Sequence, residues 1–530
     1  MAPNLKKELL ISVNPSTLEE VGQVEHTHPE DVPNIVQRAR DAMPAWRDKG
    51  IDARIKIMKR AQDLLLKQSE EIAELISKEM GRPFSEALGV EVEAGVDLLY
   101  YYWKHAHRFL RNRRVWLHHP FFMLRKSTIH FQPLGVLTNI TPWNWPLLIP
   151  LGVIGPALMS GNAMLFKPSE YTPLCGEHIR NLFVQAGVPE DIFINLHGGP
   201  EVGQALVFSD TEKVFFTGST NVGQIVMEQG APSLKKVVLE LGGHDPAIVC
   251  EDADADIASS GILWGAMNNC GQNCNGIERV YVHETIADRF TELLVRKAEM
   301  LRVGDGMDEE TDIGPLATEL QFEKILSIVQ HARKSGMEIL TGGNPIEGKK
   351  GYFFEPTVIR CDPDQSRIVD EEVFGPVVFV QAVEDDAEAI RLANESQYGL
   401  AASVWTSNPK YGQKIAQQIE AGSVMVNDSV VSFGITEAGW TGIKKSGIGW
   451  MHGEKGLDEM VNMQFINIDS HFRSQNLWWF PYGPDLIHSL RKGMVLLFDR
   501  NPFKKLVTLP AILRHLAGFL LFNTRKSRKL

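Results

Sequence analysis

Residues 135–167, GVLTNITPWNWPLLIPLGVIGPALMSGNAMLFK, open on a short apolar run, turn on two prolines, continue through a stretch of helical length and close on a second short run. Further runs stand at 192–197, 213–217, 236–241 and 246–250, mostly separated by longer segments with helical patterning. Strand, crossover helix, strand is the pattern of a parallel α/β sheet. The rhythm resumes over 254–427, with helical stretches near 284–301 and 316–336 and apolar runs near 279–283, 376–380 and 423–426. A second α/β domain is predicted from it.

Outward from these segments, residues 32–80 carry apolar positions at helical spacing and stop at Gly81-Arg82-Pro83, which predicts two scaffold helices. Residues 113–133, RRVWLHHPFFMLRKSTIHFQP, read as an exposed hairpin whose edge needs a partner. The first twenty residues lack the apolar core of a signal peptide and read as a strand and a turn. A length of 530 residues suits about three domains at ~150 residues each. The net charge of -12 argues against a nucleic-acid partner. Five irregularly spaced cysteines argue against a disulfide framework and fit a reducing, cytoplasmic setting. No apolar run of 18 residues is free of charge.

Four segments could carry chemistry. In NNCGQNCNG (268–276) Cys274 lies between Gly271 and Gly276, which would expose a thiol and its own amide; a small core cysteine is the alternative. Cys270 lies one helical turn from Cys274, but no His or second cysteine pair completes a zinc site, so no metal is expected. In VVLELGGHDP (237–246) an apolar strand ends in Glu240, either a base with a raised pKa or a carboxylate bonded to nearby amides. In TPWNWP (141–146) Asn144 offers an amide N–H to an oxyanion, unless the loop is simply a packed aromatic turn. FKPSE (166–170) and FTGSTNVG (216–223) each follow a strand, and the second opens a helix with Gly218 and Gly223, an arrangement that points N–H groups at a phosphate. The G-x-G-x-x-G spacing is absent.

Together these motifs resemble the aldehyde dehydrogenase superfamily, in order over roughly residues 10–465. PWNWP resembles the family's PWN-aromatic-P, FKPSE its KPSE, FTGST its FTGS, ELGGHDP its ELGGK-x-P and GQNC its GQ-x-C, with further matches at GYFFEPTV (351–358), EEVFGP (371–376) and KKSGIG (444–449). The resemblance implies a Rossmann-like nicotinamide-dinucleotide-binding domain (1–112 and 134–242), an α/β catalytic domain (243–445) and a small β bridging domain for oligomerisation (113–133 and 458–470). It implies Cys274 as nucleophile, Glu240 as base and Asn144 as oxyanion donor. Lys167, Ser169 and Glu170 would meet the adenosine ribose side, Gly218, Ser219 and Gly223 the pyrophosphate, and Trp143, Leu241, Glu372 and Phe374 the remaining cofactor surface. The reaction implied is oxidation of an aldehyde to a carboxylic acid with NAD+, NADP+ being left open, in a homodimer or homotetramer. Trp145 and Trp440 would line the substrate tunnel. Transfer of the acyl group to coenzyme A is the alternative, which Glu240 argues against; a catalytically silent homologue would be expected to lose Cys274, Glu240 or Asn144.

The chain departs from the family pattern at His244, where Lys is usual, at GWTGIKKSG (439–447) and at GWMHG (449–453), which puts the tunnel shape in question. A basic amphipathic extension, 471–530, has eleven Lys/Arg against two Asp/Glu. Within it 508–522 reads as a helix capped by Thr508, with Pro510 in its first turn and Leu509, Ile512, Leu513, Leu516 and Leu520 on one face. Such a helix either lies peripherally in an anionic membrane interface, on the inner face, or packs on the acidic body of the protein.

Overall fold

The computed structural model describes residues 8–119, 122–123, 125–361, 371–469, 479–480, 482, 484–510 and 512. The chain divides into two compact units, Met1–Arg111 with Phe131–Met463, and Asn112–His130 with Gln464–Leu530.

The larger unit holds two α/β sheets. The first has six strands in the order Gly447–Ile448, Lys236–Glu240, Lys213–Thr217, Val136–Ile140, Ala163–Lys167 and Phe193–Asn195. All its pairs are parallel except the one made by Gly447–Ile448, which runs antiparallel to Leu239–Glu240. The second has seven, in the order Glu338–Thr341, Thr357–Arg360, Val377–Val383, Ile277–His283, Asp245–Val249, Ala401–Trp405 and Ser423–Val426. It is parallel apart from its first pair. The apolar runs in the sequence become these strands because buried parallel strands need apolar residues on both faces.

The scaffold has three helices where two were expected: Val32–Asp48, Gly50–Lys67 and Ser69–Met80. They abut without a loop, the chain turning at Gly50 (φ 76°) and at Gln68, so the polar stretches 47–50 and 67–71 belong to helix ends instead of forming loops. Helix Leu148–Ser160 is buried along its whole length, which explains its lack of a polar face, and it ends at Gly161 in the left-handed conformation.

In the smaller unit Arg113–Arg114 pairs antiparallel with Lys126–Pro133, whose other edge takes the late strand Val461–Ile468. Ser127 Oγ donates to Asn467 Oδ1 at 2.9 Å, and Arg125 meets Asp469 at 3.3 Å. The hairpin edge thus finds its partner within the chain, while Phe465, Ile466 and Ile468 of the late strand remain exposed. The tail forms helix Pro484–Phe498 and a second helical stretch over 502–510. Thr508 is therefore not a cap. It sits in the interior of that stretch, donating to the carbonyls of Lys504 and Lys505, because Asn501-Pro502 is the stronger start signal and Asn501 Oδ1 accepts from Phe503 N–H at 3.0 Å. Residues 513–530, including Leu513, Leu516 and Leu520, lie outside the described residues.

His452 packs against Phe433, with ring centroids 4.5 Å apart, and a Cβ on Gly152 would come within 3.0 Å of its Nε2. Burial pushes its pKa from 6.5 down to about 4. Between those values the unfolded chain binds a proton that native His452 does not, so falling pH removes up to about 1.4 kcal/mol of stability per pH unit. Calorimetry should show His452→Leu losing less Tm than wild type between pH 6.5 and 4; equal losses would clear His452 of this role.

Candidate active site

The carboxyl ends of the first sheet meet loops that lead into strands of the second. Pro142–Asn144 follows strand Val136–Ile140, Gly218 and Ser219 follow Lys213–Thr217, and Leu241 and Gly242 follow Lys236–Glu240. Cys274 precedes strand Ile277–His283, and Glu372 and Phe374 precede Val377–Val383. All of these residues line one cleft of about 210 Å³. The crevice outside the strand ends is where open α/β sheets bind ligands.

The cysteine loop is held in an unusual shape. Asn269, Cys270 and Gly271 have successive φ values of 53°, 55° and 69°. Gly271 is required there, since a Cβ would come within 2.1 Å of the Gly375 carbonyl oxygen. Cys270 faces the core of the second sheet and is buried, whereas Cys274 is half-buried and reaches the cleft.

A buried guanidinium fixes this loop to the Asn144 loop. Arg82 donates from Nε to Asn269 Oδ1 at 3.1 Å, from Nη2 to the Asn144 carbonyl at 2.9 Å, and from Nη1 to Glu91. It also lies 4.0 Å from the centre of the Trp145 ring. Glu91, on the π-helical turn Ala87–Val92, accepts from Leu147 and Leu148 N–H at the start of the buried helix. Glu86 accepts from Asn269 N–H at 3.0 Å, and burial raises its pKa to about 7.

Asn144 is buried and donates from Nδ2 to the Gln272 carbonyl at 3.0 Å, while its Oδ1 meets no partner among the described residues. Glu240 is also buried, with neither oxygen in a well-formed hydrogen bond among the described residues. Burial holds its pKa well above the ordinary carboxylate range, with the Trp440 side chain acting the other way. The Cys274 thiol is raised too, by burial first and then by Asp245, Glu372 and Glu240. In this state the thiol keeps its proton, and its attack requires a nearby group able to take it.

Of the expected cofactor residues, Trp143, Gly218, Ser219, Leu241, Glu372 and Phe374 line the cleft. Trp143 meets Phe374 edge-on at 5.6 Å, and Ser219 caps helix Thr220–Gly230. Glu372 Oε1 accepts from Gly243 N–H at 3.2 Å, and its pKa is raised to about 8 by burial and by Glu278. Lys167, Ser169 and Glu170 lie at the end of the adjacent strand rather than in the cleft wall, with Lys167 Nζ 3.3 Å from Glu170 Oε2. Gly223 does not line the cleft either; it is buried against Leu241, whose side chain a Cβ would approach to 2.4 Å.

A second cavity, of about 460 Å³, also reaches Cys274 and is lined by Trp145, Trp264, Ile149 and Phe433. Trp145 is on its wall. Trp440 is not: it is 3% exposed and packs edge-on against Phe433, one layer back. His244 also lies away from both cavity walls, paired with Glu278 at 2.5 Å, and the Glu278 carboxylate accepts from the Val373 and Phe374 N–H groups.

Arg82, Glu91, Asn269 and Glu278 escaped the sequence reading. The signals present were Arg82 in a segment read only as a helix stop, and acidic residues inside otherwise apolar stretches.

The sequence description "Aldehyde dehydrogenase family" matches residues 3–466. The mitochondrial succinate-semialdehyde dehydrogenase of Arabidopsis thaliana is 36% identical over 455 residues, covering 86% of this chain and 85% of the relative. The betaine aldehyde dehydrogenase of Vibrio vulnificus is 35% identical over 454 residues, covering 85% and 92%. Among solved structures, the NAD+ complex of an aldehyde dehydrogenase from Bacillus cereus superposes with a TM-score of 0.84 at 35% identity, covering 88% of this chain and 94% of that one.

If Arg82 holds the two loops, Arg82→Lys, which keeps the charge but loses the planar fork, should cost about 3 kcal/mol of unfolding free energy and lower kcat about tenfold or more. Denaturant unfolding and steady-state kinetics check this; wild-type values in both would remove Arg82 from the account.

Proposed function

The chain belongs to the aldehyde dehydrogenase family, and on that premise we propose that Cys274 is its nucleophile, Glu240 its base and Asn144 its oxyanion donor. The reaction itself is the oxidation of an aldehyde to a carboxylic acid with NAD(P)+. The observation that carries the residue roles is their convergence on one cleft with Gly218, Ser219, Glu372 and Phe374.

That cleft fits a nicotinamide dinucleotide. It joins the Ser219-capped helix start, which suits a phosphate, to buried oxygens of Glu240 and Asn144 that lack partners among the described residues. Gly242 leaves room beside Glu372, where a Cβ would come within 2.7 Å of Oε2. Lys167, Ser169 and Glu170 would hold the adenosine ribose side, and Trp143, Leu241, Glu372 and Phe374 the nicotinamide side. The chemistry the bound dinucleotide supplies is acceptance of hydride, which leaves the acyl group on cysteine as a thioester.

Cys274 Sγ attacks as the thiolate, its proton released to solvent water that enters the cleft, and forms a bond to the carbonyl carbon while the carbonyl π pair moves to oxygen. Asn144 Nδ2, a two-hydrogen donor with one bond already fixed to Gln272, stabilises that oxyanion together with the Cys274 amide. Glu240, as the carboxylate, takes a proton from the water that adds to the thioester carbonyl, and the C–S bond breaks with Cys274 leaving as the thiolate. A carboxylate in this place favours hydrolysis over transfer to coenzyme A, whose own thiol needs no such base.

Residues 1–112 and 134–242 then form the dinucleotide-binding domain and 243–445 the catalytic domain, with Gly447–Ile448 returning to the first sheet. Segments 113–133 and 458–470 bridge subunits of a homodimer or homotetramer, a reading supported by the exposed apolar residues of the late strand. The extension 471–530 contacts an anionic membrane surface. In its support, Trp479, Phe480, Ile487, Phe498, Phe503 and Leu506 are exposed beside the basic residues. Among the described residues no helix is long and apolar enough to cross a membrane. The five free cysteines suit a reducing, cytoplasmic compartment.

Cys274→Ala should abolish oxidation and leave dinucleotide binding intact, while Glu240→Gln should give a stoichiometric burst of NAD(P)H and then stall. An active Cys274→Ala protein, or an unchanged steady-state rate in Glu240→Gln, removes the residue from its role. NAD+ should exceed NADP+ in kcat/KM by about tenfold, because Glu170 repels a 2'-phosphate; the reverse preference refutes this. Deleting 471–530 should abolish salt-sensitive sedimentation with phosphatidylserine vesicles while light scattering still reports an oligomer. No vesicle binding by the full chain points to docking on the protein body instead, and a monomer contradicts the bridging role.

A further inference from the structure

The second cavity differs from the cleft in its charges. Among the described residues lining it there is no Lys, Arg or His, and its charged groups are Glu93 and Asp97. These stand four residues apart, hence on one face, at the start of helix Glu93–Leu110, and both are exposed. Asp97 Oδ2 accepts from Thr436 Oγ1 at 3.4 Å, which ties this face to the far wall of the cavity just before Glu437. One turn along the helix, Tyr101 feels Glu437 and Glu454 as well as Arg108, and the His105 ring lies 4.7 Å from its own. Deeper in, toward Cys274, the walls are Trp145, Ile149, Val431 and Phe433.

An aldehyde bound at Cys274 would place its far end among these apolar walls or between the two carboxylates. For a carboxylate-bearing aldehyde both positions are unfavourable: the walls desolvate its charge without offering a cation, and Glu93 and Asp97 repel it. For an uncharged chain the same walls remove apolar surface from water. We propose that Glu93 and Asp97 set substrate charge, so that the enzyme oxidises uncharged apolar aldehydes and discriminates against those carrying a distal carboxylate. This rests on the reading of Cys274 as the nucleophile.

The test compares two aldehydes of equal chain length, hexanal and 6-oxohexanoate, with the full-length protein and NAD+. The wild-type ratio of kcat/KM for hexanal over 6-oxohexanoate should be about 100 or more, of the order two like charges and a desolvated carboxylate produce. It should fall at least tenfold in Glu93→Gln/Asp97→Asn and shrink with added salt, chiefly through KM for the anion. Because the ratio is taken within one protein, a general loss of fold or activity cancels. A wild-type ratio near one, or a ratio untouched by the double substitution, overturns the proposal. If such results come with activity that Cys274→Ala abolishes, the nucleophile reading stands and only the charge proposal fails; activity that survives Cys274→Ala, or oxidation of neither aldehyde, defeats both.

Discussion

Arg82 is a buried charge on which the geometry of the catalytic wall depends. Its guanidinium is 1% exposed and spends its hydrogen bonds on three separate segments: Asn269 in the cysteine loop, the Asn144 carbonyl in the loop after the central strand, and Glu91 beneath the buried helix. Burial lowers the Arg82 pKa and raises that of Glu91, and their mutual attraction opposes both shifts. A pair this deeply buried is weak evidence for stability by itself, since apolar replacements often do as well. What it supplies is position. The planar fork fixes Asn144 relative to the left-handed turn that presents Cys274.

Around that pair the two sheets divide the work. The first contributes Glu240 at a strand end and loops from its strand ends carrying Asn144 and Gly218, and the second contributes loops that precede its strands, carrying Cys274, Glu372 and Phe374. A site assembled between ends of packed strands is held more rigidly than one on free loops, and it needs small residues where backbones approach. Gly271 meets that need against Gly375, and Gly243 against the Cys274 carbonyl. Cys274 borders both cavities.

The strands and the residues that converge on the cleft were legible in the sequence because short apolar runs and the Gly and Pro residues after them are local signals. The runs at 213–217 and 423–426 coincide with the strands Lys213–Thr217 and Ser423–Val426. What stayed hidden is non-local. Arg82 and Asn269 are 187 residues apart, and nothing in the periodicity near either one announces the other. The π-helical turn at Ala87–Val92 breaks the 3.6-residue pattern that would have placed Glu91 on a buried face. The scaffold helices are separated only by Lys49 and Gln68, so the polar stretches 47–50 and 67–71 pass for exposed faces of fewer, longer helices. Trp440 resembled a wall residue in the motif, but Phe433, from a segment with no motif, holds the wall in front of it.

The proposed chemistry requires a covalent bond to one of two nearby cysteines, and mass spectrometry of the trapped protein reports it directly. Glu240→Gln protein mixed with aldehyde and NAD+, quenched in acid and digested, should carry the acyl group of the aldehyde on Cys274, with Cys270 unmodified. Acyl groups on Cys270, or NADH formed with both cysteines at their native mass, would contradict it.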